Sequence, residues 1–93
     1  MKITEKMLQN KVDHLNKLTG NHVVTWTRMD GKTNANIGNY HLYYAYGGVN
    51  LHQVVNQGGG VDCPLGDGTR PKRELYYQLD SFIKGFNVGK YHG

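Results

Sequence analysis

The chain has almost no cysteine and no long apolar segment. Cys63 is the single cysteine among 93 residues, so no disulfide can form within the chain. A lone thiol suits a reducing compartment, where disulfides are rare. No segment approaches the roughly 20 apolar residues that cross a bilayer, and the residues after Met1 lack the apolar run of a signal peptide. We therefore expect a cytoplasmic protein with no membrane partner.

Motifs of catalysis and cofactor binding are also missing. The sequence has no Gly-x-x-x-x-Gly-Lys-Ser/Thr phosphate loop and no dinucleotide-binding glycine pattern between a strand and a helix. No two carboxylates are placed to divide acid and base roles, and Cys63 beside Pro64 has no neighbouring base to activate it. His41 and His52 alone leave a tetrahedral zinc site incomplete. These absences predict a non-enzymatic protein without cofactor or metal.

What the chain does have is a surplus of basic residues. Eleven lysines and arginines against seven acidic residues give a formal charge of +4. This surplus favours an acidic partner, such as nucleic acid, a nucleotide or an acidic protein surface. A chain of this length forms one domain, residues 1–93, and buries only about 60–65% of the surface that its unfolded form exposes. Self-association would add buried surface, so both a monomer and a homo-oligomer are compatible with this length.

Residues 40–56 predict a hairpin at the centre of a sheet. Side chains on both sides of Gly47-Gly48 alternate with the period of two that a half-buried strand imposes. Two adjacent glycines can both adopt positive φ, so we expect the reversal there. With this turn, His41 and His52 become diagonal neighbours on one face. The face predicted to meet the helices consists of Tyr40, Leu42, Tyr44, Tyr46, Val49, Leu51, Gln53 and Val55, and the other of His41, Tyr43, Ala45, Asn50, His52, Val54 and Asn56.

Helical periodicity marks the N-terminal segment, residues 1–20. Apolar residues recur there at three- and four-residue steps, with polar residues on the other side. Thr4 can cap the first turn through its hydroxyl, and Gly20 can end the helix in the left-handed conformation.

An antiparallel sheet is predicted over residues 22–56. Residues 22–29 are rich in β-branched types, and Asp30-Gly31 predicts a tight reversal into a second strand over 33–37. Gly38-Asn39 either separates that strand from the hairpin or forms a bulge in a longer one, so three and four strands both remain open. Residues 57–68, with five glycines and a proline, predict a loop that is either a linker or an anion-approaching segment.

A second helix is predicted over residues 69–85, followed by a tail over 86–93. Thr69 can cap it and Gly85 can end it. Its first turn is rich in cations, where the helix dipole is already positive and only Glu74 offsets them. A phosphate held by the free amides and these cations is one interpretation, and a solvated basic turn is the other. The cations are Arg70, Lys72 and Arg73.

These elements predict an α+β fold. Two helices on one face of an antiparallel sheet form a two-layer sandwich in the order helix, three or four antiparallel strands, helix. This order resembles the double-stranded RNA-binding domain, whose second helix begins with lysines that reach phosphates. The resemblance implies Lys72 and Arg73 as the counterparts of those lysines.

Five short stretches also stand out as a combination, spread over most of the chain. They are Gly38-Asn39-Tyr40-His41-Leu42, Ala45-Tyr46-Gly47-Gly48, Leu51-His52, Asn56-Gln57-Gly58-Gly59-Gly60-Val61 and Pro71-Lys72-Arg73-Glu74-Leu75-Tyr76. In this combination the chain resembles small uncharacterised proteins of phages, prophages and mobile elements of Gram-positive bacteria. The resemblance implies an accessory phage protein in the host cytoplasm, for which inhibition of a host defence system, including CRISPR nucleases, is a frequent role.

The candidate binding site joins the outward hairpin face to the start of the second helix. Tyrosine offers contact area at low entropic cost, and asparagine and histidine supply hydrogen bonds. An ordinary solvent-facing surface is the alternative. Two functions are compatible with this site: a protein that occupies a surface of a host defence factor, and a nucleic-acid-binding module whose cations neutralise phosphates while its tyrosines stack on bases. The predicted site residues are His41, Tyr43, Asn50, His52, Arg70, Lys72, Arg73 and Tyr76.

Overall fold

The computed structural model of the chain describes residues 2–92, and the side chains of residues 2–88. Two α-helices flank five short β-strands, which confirms the predicted α+β order of helix, strands and helix. Neither helix within these residues is long and apolar enough to cross a membrane. The elements are α1 (Glu5–Thr19), β1 (Trp26–Met29), β2 (Lys32–Ala35), β3 (Tyr40–Ala45), β4 (Gly48–Val54), β5 (Val61–Asp62) and α2 (Lys72–His92).

Both ends of α1 form as the sequence predicts. The Thr4 hydroxyl oxygen accepts a hydrogen bond from the Met7 N–H at 3.2 Å, which caps the first turn. Gly20 adopts a φ of 76° and ends the helix. Fully burying one aliphatic side chain contributes about 1.5–3 kcal/mol, so the apolar stripe holds α1 against the rest of the molecule. The buried stripe consists of Leu8, Val12 and Leu15.

The strands form two sheets, whereas the sequence predicts three or four strands in one. β1 pairs antiparallel with β2 across the predicted Asp30-Gly31 turn. β3, β4 and β5 form a separate antiparallel sheet in that order. The break falls at Gly38, where φ is 95° and the chain turns. The predicted alternative of a break at Gly38-Asn39 is therefore the one that forms.

Asparagine side chains explain why the first strand begins at Trp26 and not at residue 22. The Asn39 amide donates to the His22 carbonyl at 2.7 Å, and the Asn36 amide donates to the Val24 carbonyl at 2.9 Å. These side-chain bonds satisfy carbonyls that a strand partner would otherwise satisfy. Residues 23–25 therefore bend instead of extending the sheet.

The two helices pack on one face of the three-stranded sheet. Tyr40, Val49 and Leu51 are buried against them, as the period of two in β3 and β4 predicts. The ring of Tyr40 meets the edge of the Phe82 ring at 5.9 Å between centroids. This arrangement confirms the two-layer sandwich. The helices and the N-terminal segment contribute Ile3, Leu8, Val12, Leu15, Leu75, Leu79 and Ile83 to the same core.

The segment predicted as a loop, 57–68, contains a strand. β5 lies within it and pairs with Gln53 and Val54 of β4. The turn before β5 is closed by the Gly59 N–H, which donates to the Asn56 carbonyl at 3.1 Å, and Gly59 adopts a φ of 95°. The glycines therefore permit a reversal that returns the chain to the sheet.

The second helix differs from its predicted bounds at both ends. Thr69 is not its cap, because the next residue, Arg70, forms an isolated β-bridge with Val49 and keeps the chain extended up to Pro71. Gly85 does not end the helix; the Phe82 and Phe86 rings contact each other around that turn at 5.0 Å. The predicted tail 86–93 is helical to His92, and Gly93 lies outside the described residues.

Candidate functional site

The outward face of β3 and β4 carries a row of three rings. His41 and His52 are direct cross-strand partners, with ring centroids 5.6 Å apart and planes at 78°. Tyr43 stacks on His52 at 4.6 Å with an interplanar angle of 14°. We call His41, Tyr43 and His52 the aromatic row. Each ring is held by its neighbour, so the row presents a preorganised surface.

The predicted hairpin register is wrong by two residues. The predicted faces are right for the buried Val49 and Leu51, but Val54, predicted to face outward, is buried, and Val55, predicted to meet the helices, is 51% exposed. The reversal occurs at Tyr46-Gly47, not at Gly47-Gly48, and this places His41 opposite His52 instead of diagonal to it. A Cβ on Gly48 would lie 3.0 Å from the Arg70 carbonyl oxygen. Gly48 is therefore needed for the close approach of a neighbouring segment, and a different residue takes the first turn position.

The residue at the first turn position is Tyr46, and its backbone conformation is unusual for a tyrosine. Both hairpins close with two left-handed residues, Asp30-Gly31 at φ 53° and 76° and Tyr46-Gly47 at φ 54° and 75°. Aspartate suits this conformation, whereas tyrosine is disfavoured in it. The Tyr46 side chain is also fully exposed, so it gains no packing in return. Local strain without compensating burial points to a role outside folding.

Burial favours the neutral form of both histidines in the aromatic row. Burial lowers the pKa of His41, and a charge on His52 would lower it further. Burial also lowers the pKa of His52. His41 Nδ1 lies 3.2 Å from the Asn39 side-chain oxygen, which fixes its ring. Neutral imidazoles contribute hydrogen bonding and stacking to this surface.

Asn50 lies on the predicted face but is buried beneath the loop that follows β5. Its side-chain amide donates to the Gly66 carbonyl at 3.1 Å, and its side-chain oxygen accepts from the Leu51 N–H at 2.8 Å. The Leu51 N–H points towards the part of the β4 edge that lies between β5 and Arg70, and no strand pairs with β4 there. Asn50 therefore completes the sheet edge and positions the loop, and it is not an accessible contact residue.

Arg70 is likewise occupied by the fold. Its guanidinium donates to the carbonyls of Leu65, Gly66 and Gly68 at 2.9–3.1 Å and to the Gln78 side chain at 2.7 Å. The guanidinium group therefore links the loop of residues 65–68 to α2 through hydrogen bonds. The geometry gives Arg70 a structural role in place of the predicted phosphate contact.

Lys72 and Arg73 are exposed in the first turn of α2. Lys72 Nζ lies 3.8 Å from a Glu5 carboxylate oxygen, a long and exposed ion pair that contributes little. Lys72 also lines a depression of about 370 Å³ together with Tyr44 and Gly48. A second depression, of about 140 Å³, is lined by Tyr43, Tyr46 and His52 on the other side of the same turn. Lys72 and the aromatic row therefore lie on opposite sides of the same turn.

Tyr76 lies apart from this surface. Lys11 Nζ is 4.7 Å from the centroid of the Tyr76 ring, and the Tyr76 and Tyr77 rings lie edge to face with centroids 5.6 Å apart. Tyr76 thus fills the seam between α1 and α2.

The alternation of side chains places Tyr44 and Tyr46 on the helix-facing side, so the sequence does not predict them as surface residues. Tyr44 is 44% exposed and Tyr46 is fully exposed, since the helices do not extend over the turn. The Tyr-Gly-Gly sequence contains no signal that selects between two overlapping glycine turns. Among the described side chains, no three of His, Cys, Asp or Glu lie close enough together to hold a metal ion.

Comparison of the chain with protein families, with curated proteins and with solved structures finds no match in any of the three.

Proposed function

We propose that the chain is a non-enzymatic binding protein of phage or mobile-element origin that inhibits a host defence factor, for example a CRISPR nuclease, by occupying one of its surfaces. The observation that carries this proposal is Tyr46, a strained and fully exposed aromatic residue at the tip of a rigid hairpin. Tyrosine is enriched among the residues that dominate binding energy in protein interfaces. The phage context comes from the resemblance of the sequence.

The surroundings of Tyr46 support a protein partner with an acidic patch. The aromatic row supplies a stacked surface beside it, and Lys72 supplies positive charge on the other side of the same turn. Aromatic groups with a charged rim are typical of protein interfaces, in which the rim charges govern association rate and specificity.

Co-purification tests the proposal directly. The tagged chain is expressed in cells that carry a CRISPR nuclease, recovered proteins are identified, and phage survival is measured in a plaque assay. We expect one defence protein to co-purify and phage to be protected. Replacing Tyr43 and Tyr46 by serine should abolish both effects, because removal of two central anchors typically weakens binding by more than about tenfold. Tyr77→Ser is the matched control, since Tyr77 is 50% exposed on α2. Equal activity of the wild type, the double serine variant and Tyr77→Ser would show that Tyr43 and Tyr46 do not contact the partner.

A charge-reversed pair tests the rim. Lys72→Glu with Arg73→Glu should abolish binding, whereas Arg28→Glu with Lys32→Glu changes the net charge equally on the exposed β1–β2 hairpin and should leave binding intact. Equal loss in both pairs would show that only net charge matters. Full retention in the first pair would show that the helix start is merely solvated.

The second candidate is a nucleic-acid-binding module, and the aromatic row favours it because successive rings offer faces for bases. Mobility shifts with duplex and single-stranded DNA and RNA separate the two functions. Affinity that falls steeply with salt, and that the Lys72 and Arg73 variants reduce together with the slope, would support this candidate. No binding at about 50 mM salt would eliminate it, because phosphate contacts are strongest at low ionic strength.

A further inference from the structure

β3 is an edge strand of the main sheet, and within the described residues no strand lies against its outer side. β3 pairs with β4 on one side only, because the strand order is β3, β4, β5. In an antiparallel strand, peptide groups that face the partner alternate with groups that face away. The two-residue turn places Ala45 and Gly48 as a hydrogen-bonded pair, so the peptide N–H and C=O groups of Tyr43 and His41 also point towards β4. The peptide groups of Tyr40, Leu42 and Tyr44 therefore point away from β4, towards the open side of the strand.

One end of this edge is already satisfied. The Asn16 side chain accepts from the Tyr40 N–H at 2.8 Å and donates to the Tyr40 carbonyl at 2.9 Å. Within the described part of the chain, the outward N–H and C=O groups of Leu42 and Tyr44 have no hydrogen-bond partner. The open edge is thus a short segment, bounded by Asn16 at one end and by the Tyr46-Gly47 turn at the other.

We propose that two copies of this chain pair antiparallel through the open edges of β3. With a two-fold axis at Tyr43, Leu42 of one protomer forms a hydrogen-bonded pair with Tyr44 of its partner, and the reverse. All four open groups on each protomer are then satisfied, and a six-stranded sheet forms across the dimer. This pairing is separate from the proposed function.

The chemistry of the edge favours a second copy over an unrelated peptide. The open segment is only three residues long, and an identical segment matches its length at both ends. β3 contains no lysine, arginine, aspartate, glutamate or proline, the residues that commonly block edge-to-edge pairing. Tyr43 would face Tyr43 of the partner in a non-hydrogen-bonded pair, where side chains lie closest and aromatic pairs stabilise strands. The two aromatic rows would then join into one surface.

The mass in solution tests the proposal. We expect sedimentation equilibrium to show a monomer of 10.5 kDa converting to a dimer as concentration rises towards about 1 mM, because a strand-edge interface is small. A charge exchange tests the register. Tyr43→Lys and Tyr43→Glu should each be monomeric, since like charges would meet on the axis, and an equal mixture of the two should form heterodimers. A mixture that stays monomeric while the wild type dimerises would overturn the proposed axis.

A proline substitution tests the edge itself. Tyr44→Pro removes an outward N–H without removing a bond to β4, and proline is tolerated on strand edges. Tyr44→Ala keeps the N–H and is the matched control. Circular dichroism confirms that each variant is folded. We expect Tyr44→Pro to be monomeric and Tyr44→Ala to dimerise. A wild type that is monomeric at all concentrations, or a Tyr44→Pro variant that dimerises like the wild type, would overturn the proposal.

Discussion

Asn16 is a polar residue on the apolar side of α1, and it holds that helix to the sheet. Its side chain is fully buried and bonds both outward peptide groups of Tyr40. Because buried peptide groups without partners each cost about 1–3 kcal/mol, we expect Asn16→Leu to lower the free energy of unfolding by about 2–4 kcal/mol. Urea denaturation measures this change. Asn10→Leu, on the exposed side of the same helix, should change it by less than about 0.5 kcal/mol.

The paired histidines predict how stability depends on pH. Burial lowers the pKa of both His41 and His52 in the folded chain, and in His41 a charge on its partner adds to this effect. The unfolded chain then binds more protons than the folded chain below the ordinary histidine pKa of about 6.5. Stability is therefore full above that pH and is lost as the pH falls through the folded pKa values.

Unfolding measured between about pH 7.5 and pH 5 checks this sign, a window set by the unperturbed pKa of histidine. We expect His41→Gln with His52→Gln to flatten the pH dependence, because glutamine does not titrate. The Tyr43 ring stacks on His52, and the Asn39 side-chain oxygen lies 3.2 Å from His41 Nδ1. His14→Gln on the exposed side of α1 is the control and should keep the wild-type slope. An unchanged slope in the double variant would show that His41 and His52 do not cause the pH dependence of stability.

At the scale of elements, the β3–β4 turn sets a compromise between stability and exposure. Tyr46 occupies a left-handed position that asparagine adopts with less strain. We expect Tyr46→Asn to raise the free energy of unfolding by about 0.5–1 kcal/mol while it weakens partner binding. Asp30→Asn at the matching position of the other turn is the control and should change stability little. A destabilised Tyr46→Asn protein would show that the tyrosine contributes to folding.

The same turn shows how far the sequence determines the elements. Periodicity predicts α1, both hairpins and most of the two faces of β3 and β4, because burial on one side imposes a repeat on the residues themselves. The turn position was predicted wrongly because Gly48 is required by Arg70, a contact with a residue 22 positions away. The residue types of Asn50 and Arg70 predict binding residues, yet hydrogen bonds within the fold occupy both side chains. Tertiary contacts of this kind leave no local signal.

At the scale of the whole molecule, the chain is flat, with principal extents of 44, 39 and 22 Å. One reason is that the β1–β2 sheet does not share the main core. Ala35 alone among the residues of these two strands is buried. The hairpin contacts the turn before β5, where the Ala35 N–H donates to the Gln57 carbonyl at 3.0 Å and the Trp26 ring lies against Gly59. With so few buried apolar groups, it should open without global unfolding.

Hydrogen exchange tests this division of stability. The bonded amides of Thr27 and Asn34 should exchange with a free energy of opening at least about 2 kcal/mol below that of the bonded amides of Tyr43 and Asn50. Gly59→Ala should speed exchange in β1–β2 further, because its new Cβ would lie 2.6 Å from the Trp26 ring. Gly58→Ala, whose nearest contact is 3.4 Å, is the matched control. Equal opening free energies in both hairpins would mean that the two sheets unfold as one cooperative unit. The β1–β2 hairpin would then be stabilised by contacts beyond its own strands and the adjoining turn.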